Sequence, residues 1–174
     1  MITRLLISIR DRTGVAMVEF ALLMPILATI FFGLFEGSQA ILAYMKLVAA
    51  TQTIADLITQ QQTVSSTDMD NFNKAGQLVM GPFPTAPFGY AATSVTFDIN
   101  TGAAAIGWQD TRNATTLANA TTLAAGYGQK GESVVIVQGN YAYTSVFQYV
   151  LPGSITMTQI AFSRPRLVSS IPHT

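Results

Sequence analysis

The chain contains no cysteine, one histidine and one tryptophan, and charged residues make up only 10% of its 174 positions. Without cysteine there are no disulfides, no thiolate nucleophile, no iron–sulfur cluster and no thiolate-bound zinc. The one histidine, His173, is the penultimate residue and is expected to be solvated in a loose tail rather than to serve as ligand or base. Nine basic residues balance nine acidic ones, and no basic stripe is present, so nucleic-acid binding has no electrostatic footprint. Globular proteins average about a quarter charged residues. A chain this poor in charge suits a membrane, or an assembly in which its faces are buried.

The usual signs of catalysis are missing as well. No nucleophile elbow, Walker loop or HExxH occurs, and no EF-hand pattern offers a calcium loop. Serine and threonine are abundant, yet no histidine or lysine motif positions one as a nucleophile. Gly126-Tyr127-Gly128-Gln129-Lys130-Gly131 matches G-x-G-x-x-G literally. A dinucleotide fingerprint needs a strand before it and a helix after it, whereas here a strand follows, so the match reads as a loop. The expectation is a protein that is not an enzyme, with no catalytic residue, metal, cofactor or small-molecule substrate.

What the sequence does have is a long apolar run. Residues 15–35, VAMVEFALLMPILATIFFGLF, hold a single charge, Glu19. As a helix this run spans roughly 31 Å, about the hydrocarbon thickness of a bilayer. In lipid it must be helical, because nothing else there satisfies its backbone groups. Arg4, Arg10 and Arg12 flank it on the N-terminal side and no basic residue follows before Lys46, which places the N-terminus in the cytoplasm. A secretory signal with a cut after Ser38-Gln39-Ala40 is the alternative. Its apolar region would be unusually long and would contain Glu19. A charge inside a membrane helix is functional by default, although a capping carboxylate at a helix start is the plainer reading. Pro25 should kink the helix or free one carbonyl. Gly33 and Gly37 make a small-xxx-small pair, weakened by Glu36 between them.

Periodicity continues after the apolar run. Ile41, Met45, Val48, Ala55 and Ile58 fall near one stripe, interrupted by Thr51 and Gln52, and predict an amphipathic stalk through residue 62 that packs on the downstream domain. Thr67-Asp68-Met69-Asp70 resembles a capping box for a helix over 68–80, ended by the prolines of residues 81–84. Residues 94–99 and 103–108 predict a hairpin around Asn100-Thr101-Gly102. A short helix is expected near Leu117 and Leu123, a strand from Ser133 to Tyr143, and an apolar segment at 146–151. A last strand over 154–162 is expected to bulge at Gln159-Ile160.

The segment Arg12-Thr13-Gly14-Val15-Ala16-Met17-Val18-Glu19-Phe20-Ala21-Leu22-Leu23-Met24-Pro25 resembles the N-terminal signature of TadE/TadG-like proteins, minor pilin-like components of the tight-adherence (Flp-type) pilus system. The order of elements after Ser133, ending in Arg164-Pro165-Arg166, resembles the C-terminal half of the same family. The resemblance implies a cut by a prepilin peptidase between Gly14 and Val15, with Glu19 as the assembly carboxylate. Phe20 stands where major pilins of this type carry tyrosine, which points to a minor subunit. After such a cut the new amine of Val15 would lie four residues from Glu19, within reach on one helix face.

The expected fold is α+β: a long N-terminal transmembrane and stalk helix packed on a small antiparallel sheet of about four strands with short helices. Residues 1–14 would be a basic cytoplasmic leader, 15–62 the membrane helix and stalk, and 63–174 a periplasmic domain. The expected role is that of a minor pseudopilin or assembly factor anchored in the bacterial inner membrane, with other pilins and tight-adherence assembly proteins as partners. Processing and assembly would rest on Gly14, Val15, Glu19 and Phe20. The alternative is a secreted or membrane-tethered periplasmic ligand-binding domain with no pilus role.

Overall fold

A computed structural model describes residues 13–174; the leader expected over residues 1–14 lies almost wholly outside them. The first element, α1 (Thr13–Thr59), runs for 47 residues without a break, about 70 Å of helix. It holds Pro25 in its interior, and Thr29 Oγ1 donates to the Pro25 carbonyl at 2.8 Å. The proline does not end the helix; the carbonyl it frees is that of Ala21, four residues earlier. The chain divides into two compact units, one of Met1–Gln39 with Ser145–Gly153 and one of Ala40–Thr144 with Ser154–Thr174.

The larger unit is built on four antiparallel strands, β1 (Phe88–Phe97), β2 (Ala104–Arg112), β3 (Ser133–Thr144) and β4 (Ser154–Ser163), in the order β2-β1-β3-β4. Alternation along the two central strands sends side chains to both faces. On one face Tyr90, Ala92, Val135, Val137 and Tyr141 join Leu47, Ile54 and Ile58 of α1 and Met69 and Phe72 of α2 (Ser66–Val79) in one core. On the other, Val95, Phe97, Val134 and Ile136 meet Leu117, Ala120 and Ala124 around the short α3 (Ala120–Leu123). Both faces are covered, so β1 and β3 read as nearly continuous burial rather than as an in–out alternation.

Several boundaries differ from expectation for identifiable reasons. β1 begins at Phe88 rather than 94 because Phe88, Tyr90, Ala91 and Ala92 are all buried and leave no alternating pattern to read. The bulge lies not in β4, whose pairing with β3 is unbroken, but between β1 and β2. There the register shifts at Ser94/Val95 and Gly107 is the extra residue. The cap of α2 is Ser65, not Thr67. Ser65 Oγ accepts from the Asp68 amide, and Asp68 Oδ2 accepts from the Ser65 amide at 2.9 Å, so the box starts two residues earlier. The buried stripe of α1 runs through Ala43, Leu47, Ala50, Thr51, Ile54 and Ile58, while Ile41 and Met45 are exposed. The expected stripe was therefore partly on the wrong side of the helix, and Thr51 lies within the true one.

The C-terminal segment is fixed rather than loose. Trp108 Nε1 donates to the Ile171 carbonyl at 2.7 Å. Val64 takes the Pro172 carbonyl, and the Thr174 amide donates back to Val64. His173 is thereby held against the Trp108 ring at 5.4 Å, which corrects its expected place in a solvated tail.

Candidate functional site

The residues singled out for processing and assembly occupy the first turns of α1. Gly14, Val15, Glu19 and Phe20 are all helical and all exposed. Val15 and Glu19 are four positions apart, so they lie on one face, one turn apart. Open space surrounds Gly14. Along the turns that follow, Leu22, Leu23, Met24, Ile26, Leu27, Ile30, Phe31 and Leu34 are exposed as well. A helix apolar on most sides is covered by protein or by lipid rather than by water. By length and composition α1 is a candidate membrane span.

The other carboxylate of this apolar stretch behaves differently. Glu36 is 1% exposed, and its carboxylate accepts from the amides of Tyr149, Val150 and Leu151 at 2.9, 3.0 and 2.8 Å. Phe147 packs on Phe32 and Phe35 with ring centroids 5.4 and 5.6 Å apart. A Cβ at Gly33 would lie 3.6 Å from a Val150 methyl, an ordinary van der Waals contact. Thus Val150 packs beside Gly33, and Glu36 holds the amides of residues 149–151. In the sequence pattern Glu36 is only a weakness in a helix-pairing motif. The available signal was its isolation: it is the one charge between Phe20 and Met45.

Residues 14–56 match the family model of TadE-like protein. No curated protein and no solved structure matches the chain. The TadE-like segment suggests a component associated with the tight-adherence pilus. It covers the Gly14–Glu19 spacing, the exposed apolar turns and Glu36, and it ends within the part of α1 that packs on the sheet.

Beyond the TadE-like segment, a polar cluster joins β2 to the start of α2. Arg112 Nε donates to Asp70 Oδ1 at 2.6 Å, Nη1 to Asp110, and Nη2 to the Ser66 carbonyl at 3.0 Å. His173 Nε2 lies 3.4 Å from the other Asp110 oxygen. Burial works against the Arg112 charge, but the Asp70 hydrogen bond and the nearby Asp110 outweigh it and hold the guanidinium above its ordinary value. Buried nearby, Tyr90 has its hydroxyl pushed well up, by desolvation first and by Asp110 second, and donates to the Met69 carbonyl. Apart from the Arg112–Asp110 pair, which lies within β2, these contacts tie separate segments of the chain to one another, which is a structural role. Among the described residues no group of three or more His, Cys, Asp or Glu side chains is placed to hold a metal. Gly126 and Gly131 adopt positive φ in the loop that leads into β3, so the G-x-G-x-x-G run is a turn.

Proposed function

We propose that this chain is a structural minor pseudopilin or assembly factor of a tight-adherence (Flp-type) pilus and not an enzyme. In this reading α1 anchors it in the bacterial inner membrane, with the N-terminus cytoplasmic and the sheet domain periplasmic. The observation that carries the reading is a coincidence of position: the TadE-like match begins at Gly14, where the exposed apolar helix begins, with Glu19 one turn past Val15. A prepilin peptidase would cut between Gly14 and Val15. The new amine would then answer the Glu19 charge, in the same helix or in a neighbouring one. Such a pairing reduces the cost of a carboxylate in a low-dielectric helix bundle and so favours lateral packing of α1 with the helices of other pilins. Phe20 would take part in that packing, and the tight-adherence assembly proteins would be the wider partners.

N-terminal sequencing of the protein from its native membrane tests this, together with a Glu19→Gln variant. The expected result is a mature chain starting at Val15, and a variant that inserts normally but fails to support pilus assembly. A mature chain starting at Ile41 would instead identify a secreted domain. A start at Met1 would remove the cut and the amine with it.

A further inference from the structure

The Ser145–Gly153 loop contains no charged residue, and Val146, Phe147 and Tyr149 are 78, 53 and 64% exposed. Large apolar side chains grouped this openly mark a surface with a partner. The loop is also firmly held. Three of its consecutive amides end on Glu36, and the rings of Phe147 and Tyr149 lie 5.4 and 5.8 Å from that of Phe32. Its position along α1 decides what the partner is. Phe32 to Glu36 lie roughly 26–32 Å beyond Val15 along the helix axis, which is the far edge of a hydrocarbon layer about 30 Å thick.

We infer that the Ser145–Gly153 loop inserts into the bilayer at the boundary between hydrocarbon and headgroups, as a second lipid contact beside the spanning helix. The inference rests on the reading of α1 as a membrane span. Two features favour lipid over a protein partner. Irregular backbone is tolerated at membrane depth only where its polar groups are satisfied, and the Glu36 carboxylate takes the amides of Tyr149, Val150 and Leu151. The same contact hides the only charge on α1 between Phe20 and Met45, so this level of the unit is left neutral. Tyr149, set among Val146, Phe147 and Val150, combines an apolar body with a polar end, as residues of a membrane–water interface do.

The absence of native cysteine allows single-thiol labelling of the full chain. Phe147→Cys, Val146→Cys, Met24→Cys and Leu78→Cys variants would each be labelled with an environment-sensitive fluorophore and reconstituted in phosphatidylcholine vesicles. Some of the lipids would carry a nitroxide quencher, either near the headgroup or near the chain end. Labels at 147 and 146 are expected to show blue-shifted emission and stronger quenching by the shallow nitroxide than by the deep one. The label at 24 is expected to prefer the deep nitroxide, and the label at 78, on exposed Leu78 of α2, to respond to neither. If 24 behaves as expected while 147 and 146 match 78, the loop proposal is overturned and the span stands. Blue-shifted but unquenched labels at 147 and 146 would mean a protein cover and would also overturn it. A label at 24 that no lipid quencher reaches removes the span, and the proposal with it.

Discussion

Carboxylates that end on backbone amides recur in this chain, each at a point where the backbone must turn or stop. Asp98 Oδ1 accepts from the amides of Asn100 and Thr101 at 2.9 and 2.7 Å and shapes the β1–β2 turn. Asp68 closes the cap of α2, and Glu36 gathers the amides of residues 149–151. The Thr101 amide first of all lowers the Asp98 carboxyl below its ordinary value, and the Ser65 hydroxyl, followed by the Ser65 amide, does the same for Asp68. A carboxyl lowered in the folded state adds stability above its unfolded value and loses it as the pH falls through the folded one. Asp68→Asn should therefore flatten the acid-side loss of stability of the sheet unit while lowering stability at neutral pH. Ser65→Ala should cost about 0.5–2 kcal/mol at neutral pH. Urea unfolding followed across the acid range checks both, and an unchanged pH profile in Asp68→Asn would contradict the linkage.

At the scale of elements, the fit of α1 on the sheet turns on Gly139. A Cβ there would come 2.1 Å from Thr51 Oγ1 and 3.1 Å from Leu47 Cδ1, so the helix rests directly on the backbone of β3. Thr51 turns its hydroxyl back to the Leu47 carbonyl at 2.8 Å, which satisfies a polar group inside an apolar contact. Gly139→Ala should destabilise the unit by about 1–3 kcal/mol through overpacking. Thr51→Ala, which removes the nearest clashing atom, should recover part of that loss, and a double-mutant cycle by denaturant unfolding measures the coupling. If the two changes simply add, the contact is not the cause. This contact also shows what sequence patterns carry and what they do not. The length of α1, the helix ending before the prolines of residues 81–84 and the strand after Gly131 follow from local rules of periodicity and turns. Which side of α1 is buried depends on a glycine far along the chain, and Ile41 and Met45 are as apolar as the residues that do pack.

For the whole molecule, the same divide separates the two glutamates. Glu19 stands out because its meaning is local: a charge five residues after a glycine at the start of an apolar run. Glu36 stands out equally by charge, but its partners lie 113 or more residues away, and no periodicity links them. The division into units yields a further prediction. Every fully buried apolar side chain from Ala43 to Ile171 belongs to the larger unit, whereas the exposed apolar surface of α1 is concentrated before it. A fragment of residues 40–174 should therefore fold without the preceding helix and stay in solution without detergent, while the full chain needs detergent or lipid. Its thermal midpoint should lie within about 4 °C of the sheet unit's transition in the full chain, a difference of roughly 1 kcal/mol for a domain of this size. The one region expected to change is the 145–153 loop, which loses Glu36 and the phenylalanines beneath it. Amide exchange at residues 149–151 should then approach that of an unstructured loop, while β3 and β4 on either side stay protected. A fragment that is unfolded or aggregated would mean that the first turns of α1 support the sheet. A fragment in which those three amides remain protected would mean that the loop is ordered by something other than Glu36.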